Sequence, residues 1–340
     1  MSRRLNIAVV GATGAVGETL LAVLEERDFP VDNLYPLASE RSVGKTVQFN
    51  GQTLDVLDLA HFNFHDVDIA LFSAGGSVSK HYAPIAAEAG CIVIDNTSCF
   101  RYEDDIPLVV PEVNPERIRD YQNRNIIANP NCSTIQMVVA LKPLHDAVGI
   151  SRINVATYQA VSGTGKKAVS ELIEQVGELL NGRPPKSSVY PQQIAFNVLP
   201  HIDEFQENGY TREEMKMVWE TRKIMEDDSI LVNPTTVRVP VLYGHSEAIH
   251  LELKAPLLVD KARELLKKAP GVVLVDDPEK LKYPTPITHA IGRDEVFVGR
   301  IRQDITHPNG LNMWVVADNI RKGAASNAVQ IAEILQREYL

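Results

Sequence analysis

A glycine loop set between a short strand and a helix constrains this chain more than any other stretch. Leu5 to Val10 reads as a buried strand, and Gly11-Ala12-Thr13-Gly14-Ala15-Val16-Gly17 follows at once. A helical pattern with Leu20, Leu21, Val23 and Leu24 comes next. Strand, loop and helix in that order form a dinucleotide-binding fingerprint. Glycines let the backbone approach a pyrophosphate, and the helix N-terminus supplies N–H donors for it. The spacing Gly11-x-x-Gly14-x-x-Gly17 departs from the common GxGxxG, so a structural turn remains the competing explanation.

The pattern repeats downstream. Strands are expected at Val31–Ala38, Val67–Ala74 and Cys91–Asp95, with a helix from about Ser79 to Ala89. Such alternation predicts an α/β fold with a doubly wound, Rossmann-type parallel sheet. Ligands on these sheets lie beyond the carboxyl ends of the strands. After the second strand comes Ser39-Glu40-Arg41-Ser42, where an NAD enzyme places an acidic residue for the ribose. Arg41 with its flanking hydroxyls suits a 2′-phosphate and favours NADP; Glu40 and an ordinary solvated loop argue the other way. From about residue 132 the pattern changes to longer strands and helices, as in an α+β domain. The expected division is a nucleotide domain at 1–131, completed by 316–340, and a second domain at 132–315.

At the boundary stands Asn129-Pro130-Asn131-Cys132-Ser133-Thr134, between the apolar run Ile126–Ala128 and a helical pattern from Ile135 to Leu141. A cysteine there meets the orphan N–H groups of a helix start, which favour the thiolate. A thiolate can attack an acyl carbon and hold the acyl group as a thioester. A small apolar residue in a buried turn is the bland alternative. The helix after Cys132 is expected to stop or kink near Pro143. Farther on, Thr211 with Glu214 fits a capping box, and Glu213 and Lys216 fall on one helix face. Spacing alone would make that pair a solvated ion pair. Arg238 and His245 follow, seven residues apart, and Arg101 is either an anion ligand or a surface salt bridge. A lone histidine is more often a satisfied core or surface residue, but one cysteine, one downstream histidine and scattered arginines fit acyl chemistry on an anionic substrate.

Taken together, Gly11–Gly17, Asn129–Thr134, Gln159 to Gly165, Glu213-x-x-Lys216, Arg238 with His245, and Asn319 before Gly323 resemble the aspartate-semialdehyde dehydrogenase family over essentially the whole chain. The resemblance implies Cys132 as nucleophile, His245 as its acid/base partner and Gln159 as the residue orienting the substrate near the thiol. It implies Arg238 on the substrate carboxylate, Glu213 on the amino group, and Arg101 and Lys216 on phosphate. Thr13, Gly14, Ala15, Val16, Arg41, Ser42, Ser162, Gly163 and Asn319, with Gly11, would line an NADP site. The implied reaction reduces aspartyl phosphate to the semialdehyde through a cysteine thioester. It feeds lysine, threonine, methionine and diaminopimelate synthesis, in a homodimer contacting through the second domain. A sister acyl-phosphate reductase, such as N-acetylglutamyl-phosphate reductase, and a non-catalytic binding relative are the rivals.

Composition supports a cytoplasmic enzyme. The 34 basic and 44 acidic residues leave a formal charge of −10, which argues against nucleic acid and anionic membranes as partners. Three cysteines suggest a reducing compartment rather than a disulfide framework. The start of the chain is broken by Gly11 too soon for a signal peptide, and no apolar run approaches the roughly 18 residues of a membrane helix. The nine histidines form no HExxH motif or Cys/His cluster, so no metal is expected.

Overall fold

The computed structural model describes residues 3–340, which divide into two compact units. The first runs to Asn131 and takes back Gly323–Leu340; the second is Cys132–Lys322. Residues 316–322 therefore count with the second unit, where the last strand of its sheet ends.

In the first unit, β1 (Leu5–Val10) leads through the glycine loop into α1 (Ala15–Glu26). There follow β2 (Val31–Ala38), the hairpin β3 (Thr46–Phe49) and β4 (Gln52–Asp55), the short β5 (Leu57–Asp58), β6 (Ile69–Phe72), α2 (Gly76–Glu88), β7 (Ile92–Asp95) and β8 (Ile126–Ala128). Six of these strands form a parallel sheet in the order β5-β2-β1-β6-β7-β8. That is the doubly wound topology the alternation predicts, and its order reverses beside β1. Strands β6, β7 and β8 are buried along their length, as a parallel sheet covered on both faces requires. Leu5, Ile7 and Val9 of β1 pack with Leu20 and Leu24 of α1 and with Ala328, Ile331 and Leu335 of the C-terminal helix Ser326–Glu338.

The second unit opens on α3 (Cys132–Val148) and β9 (Ile150–Gln159), then α4 (Lys166–Leu180), α5 (Arg212–Met225), β10 (Leu231–Arg238), β11 (His245–Leu253), α6 (Val259–Lys268), β12 (Val272–Leu274), β13 (Val296–Gln303) and β14 (Gly310–Ala317). Its sheet is mixed, in the order β10-β9-β11-β14-β13-β12. β10 and β9 are parallel, as are β12 and β13; the other pairs are antiparallel. Helices α3, α5 and α6 pack on this sheet. Strand β11 shows the consequence: Glu247, Ile249, Leu251 and Leu253 are buried while Ala248, His250 and Glu252 are half-buried.

Of the stop or kink expected near Pro143, the stop does not occur: α3 runs through Pro143 to Val148. Proline inside a helix costs about 3 kcal/mol through its missing N–H and ring clash. Ile135 and Met137 to Leu141 are buried before it and Leu144 after it, and that apolar contact offsets the loss.

Candidate active site

In the first unit the loop after β1 is shaped for close approach. Gly11 has φ +92, and a Cβ there would lie 2.9 Å from Ser73 Oγ and 3.0 Å from the Ala74 backbone nitrogen. A side chain would fill the crevice that this glycine leaves between the ends of β1 and β6. The cavity beside it measures about 540 Å³ and is lined by Gly11, Thr13, Gly14, Arg41, Ser42 and Tyr82, among others. The Thr13 and Ser42 hydroxyls are 3.4 Å apart, which joins the loop to the turn carrying Arg41. Ala15 and Val16 form the first turn of α1, with Val16 against the core. Sequence reasoning missed Asp58 and His61, which also line the cavity and pair at 2.8 Å. The cradle that a Cβ would fill and the open helix start fit a dinucleotide, and the exposed Arg41 lines the same cavity.

Arg101 is no surface salt bridge. It is buried beyond β7, with Nε donating to the Asn129 carbonyl and Nη2 to the Asn96 carbonyl, each at 2.9 Å. Cys91 is buried, and burial pushes its thiol far above the ordinary range; Cys99 is shifted the same way. Neither has the environment of a nucleophile.

In the second unit three strand ends and two helix starts supply the remaining groups. Cys132 is the first residue of α3 and is partly exposed. Gln159 ends β9 and pairs in register with Arg238, which ends β10. Its amide nitrogen donates to Ser133 Oγ at 2.9 Å and to Glu213 Oε1 at 3.2 Å. Gln159 thus ties the residue beside the thiol to the first turn of α5. The predicted Thr211–Glu214 capping box is present there, and it fixes the turn that presents Glu213. Lys216 Nζ lies 3.0 Å from Glu213 and 2.7 Å from Asp203. Burial alone would lower the lysine pKa, but these two carboxylates outweigh it and raise it, so the side chain stays cationic. Asp203 carried no sequence signal because it lies in an irregular stretch.

Arg238 is buried, with Nη1 donating to the Ala160 carbonyl at 2.7 Å and Nε without a hydrogen-bond partner. His245, the first residue of β11, is fully buried. Its Nδ1 accepts from the Ala160 N–H at 3.0 Å, and its Nε2 has no partner. The neutral ring therefore carries its proton on Nε2. Burial, followed by the Arg238 charge, holds the histidine pKa well below the usual value, so the ring is neutral at pH 7. Gly163 separates the two groups: a Cβ there would lie 2.9 Å from Arg238 Nη1 and 3.3 Å from the His245 ring. The Asn319 side chain accepts from the Gly244 N–H at 2.9 Å and bonds the Ser162 hydroxyl, so Ser162 and Asn319 brace the same loops. Two buried donors without partners, in the unit that opens on a helix-start cysteine and carries a Gln–Glu–Lys chain, can hold an anionic carbonyl compound and stabilise charge on its oxygen.

Behind His245, Glu247 is also fully buried. Burial pushes its carboxyl well above the ordinary range, opposed in part by the Gln136 side chain one turn beyond Cys132. The unfolded chain ionises this group at the ordinary value while the folded chain keeps the proton. Stability is therefore lost as pH rises from the ordinary value toward the raised one, by about 1.4 kcal/mol per unit. Glu247→Gln removes the effect. Its thermal midpoint relative to the unaltered protein should be higher at about pH 8 than at about pH 5. A difference independent of pH would contradict a protonated Glu247.

The fold and the site define a two-domain oxidoreductase, with a dinucleotide-type unit and a unit bearing a helix-start cysteine, a buried histidine and a buried arginine. The family comparisons agree. Residues 6–121 match the NAD binding domain of semialdehyde dehydrogenases, and 141–322 match their dimerisation domain. The aspartate-semialdehyde dehydrogenase of Legionella pneumophila is 76% identical over 340 residues, covering 100% of this chain and 98% of the relative. The crystal structure of aspartate semialdehyde dehydrogenase II from Vibrio cholerae complexed with ASA superposes with a TM-score of 0.98 at 61% identity, covering both chains fully. The Candida albicans enzyme, crystallised with NADP, superposes at 0.77 with 27% identity over 98% of this chain and 99% of that one. The chain belongs to the aspartate-semialdehyde dehydrogenase family. No helix among the described residues is long and apolar enough to cross a membrane.

Proposed function

We propose that this chain catalyses the reversible, NADPH-dependent reductive dephosphorylation of L-aspartyl 4-phosphate to L-aspartate 4-semialdehyde through a thioester on Cys132. It thereby serves lysine, threonine, methionine and diaminopimelate synthesis in the cytoplasm. The observation that carries the reading is the pair of buried, unpartnered nitrogens, His245 Nε2 and Arg238 Nε, in the unit that begins with Cys132. The Cys132 sulfur attacks the acyl carbon; the C–S bond forms, the C–O bond to phosphorus breaks, and phosphate leaves with the electron pair. Arg101 and Lys216 are assigned to phosphate, Arg238 to the substrate carboxylate and Glu213 to its amino group. When bound, the reduced nicotinamide supplies the hydride that takes the thioester carbon to the aldehyde level. His245 Nε2–H then donates a hydrogen bond to the oxyanion, and the C–S bond breaks to return the thiolate. The proton consumed in turnover ends on phosphate. This reading gives His245, the expected acid/base partner, the part of a neutral hydrogen-bond donor, and the Ala160 N–H on Nδ1 supports it.

The cofactor reading assigns Gly11, Thr13, Gly14, Ala15, Val16, Arg41 and Ser42 to the phosphates and ribose, and keeps Ser162, Gly163 and Asn319 as the further cofactor residues that the resemblance implies. Arg41→Ala is expected to raise KM for NADP about tenfold and KM for NAD less than about twofold. Equal losses would contradict a 2′-phosphate contact. Arg238→Lys keeps the charge but loses the planar fork, and should raise KM for the semialdehyde about tenfold or more and lower kcat. Wild-type kinetics would contradict the clamp. A homodimer through the second unit is supported by the family description of residues 141–322 and by the half-buried Ala248 and Trp314 with exposed Tyr158 on its sheet. The function is tested by following NADPH absorbance with aspartate semialdehyde plus phosphate, against an N-acylated semialdehyde. Turnover of the free amine alone is expected; preference for the N-acylated compound would favour the sister reductase.

A further inference from the structure

Residues 181–199 form neither helix nor strand, yet they are held firmly from α4. The buried Glu171 carboxylate accepts from the backbone N–H groups of Ser188 and Val189, each at 2.6 Å, and of Tyr190 at 3.3 Å, and from the Ser188 hydroxyl at 2.7 Å. One turn along α4, Gln175 accepts from Ile194 and Ala195 N–H at 3.0 Å each and donates to the Lys186 carbonyl at 2.9 Å. Val189 and Tyr190 pack on Val161, Ala168 and Leu172. A polar helix face thus spends two buried side chains on ordering one loop.

What the loop delivers is Tyr190. Its hydroxyl donates to Thr164 Oγ1 at 3.1 Å, on the turn that carries Ser162 and Gly163. Its ring lies 6.0 Å from the guanidinium carbon of Arg238. Arg238 is otherwise fixed at one edge by the Ala160 carbonyl. A single hydrogen bond leaves a guanidinium free to swing about that contact, whereas an aromatic face fixes its plane.

We propose that Tyr190 is the positioning residue of the Arg238 clamp. Its ring braces the guanidinium plane for the substrate carboxylate, and its hydroxyl ties the brace to the Gly163 turn. The proposal rests on the reading of Arg238 as the carboxylate ligand. It separates the ring from the hydroxyl, so the two can be tested apart in the full-length protein with aspartate semialdehyde, phosphate and NADP. Tyr190→Leu is expected to raise KM for the semialdehyde about tenfold while KM for phosphate stays within about twofold. Tyr190→Phe and Tyr190→Trp keep an aromatic face and should hold the semialdehyde KM within about threefold of wild type. A wild-type semialdehyde KM in Tyr190→Leu, a parallel rise in both KM values, or equal losses in the Leu and Phe variants would overturn the proposal. Arg238→Lys, measured alongside, tells the two readings apart. A raised KM there with a wild-type value in Tyr190→Leu sinks the Tyr190 assignment alone; wild-type values in both sink the clamp as well. Should Tyr190→Leu fail to fold, Glu171→Gln loosens the loop while keeping Tyr190. It should raise the semialdehyde KM selectively, and an unchanged value there counts against the proposal.

Discussion

Cys132→Ser is expected to lower kcat by at least about three orders of magnitude, with the fold intact. The expectation follows from chemistry and placement together. At a helix start the backbone N–H groups and the dipole favour an anion, which a thiol can become near neutral pH and a serine hydroxyl cannot. The neighbouring Ser133 hydroxyl is engaged by Gln159 and offers no substitute nucleophile. Nothing that fixes Gln159, Glu213 or Arg238 depends on the sulfur in the bonds described above, so substrate KM should change little. The check is steady-state kinetics with a thermal melt of the same preparation. Retained turnover would contradict nucleophilic catalysis at this residue.

His245→Ala is expected to reduce kcat about 10²- to 10³-fold and to leave KM for the semialdehyde nearly unchanged. The ring is fully buried, accepts from Ala160 and holds its proton toward Nε2. Its contribution is therefore largest where negative charge develops on the carbonyl oxygen, and small in the ground state. The lowered pKa fixes the pH dependence. A second proton would have to enter at Nδ1 against the Ala160 N–H, so protonation sets in only below the ordinary histidine range. Activity attributable to this ring should hold from pH 8 down through the usual histidine value and be lost only at lower pH. A limb near pH 6.5 that disappears in His245→Ala would contradict the neutral-donor assignment.

The first unit was legible because its signals are local. A buried parallel strand, a glycine loop and a helix with an apolar face each declare themselves within about ten residues. Val31–Ala38 and Leu5–Val10 are strands as expected. The second unit was legible at its strand ends, where Gln159, Arg238 and His245 stand. It was opaque wherever long-range contacts overrule local preference. Pro143 looked like a stop or a kink, and apolar burial carries α3 past it without a stop. Tyr190 and Asp203 sit in stretches ordered by side chains distant in sequence, such as Glu171 and Lys216, and no periodicity marks them. Glu247 alternates correctly for a strand, and only the packing of α3 on the sheet reveals that its carboxyl is sealed.

The central claim is a covalent thioester on one sulfur, and a single-turnover reaction tests it most directly. The protein is mixed with aspartate semialdehyde and NADP without phosphate, and NADPH formation and intact mass are followed together. The account predicts a burst of one NADPH per active site, an added aspartyl group on the peptide containing Cys132, and its release when phosphate is supplied. A burst with no adduct, or an adduct on another residue, would contradict it.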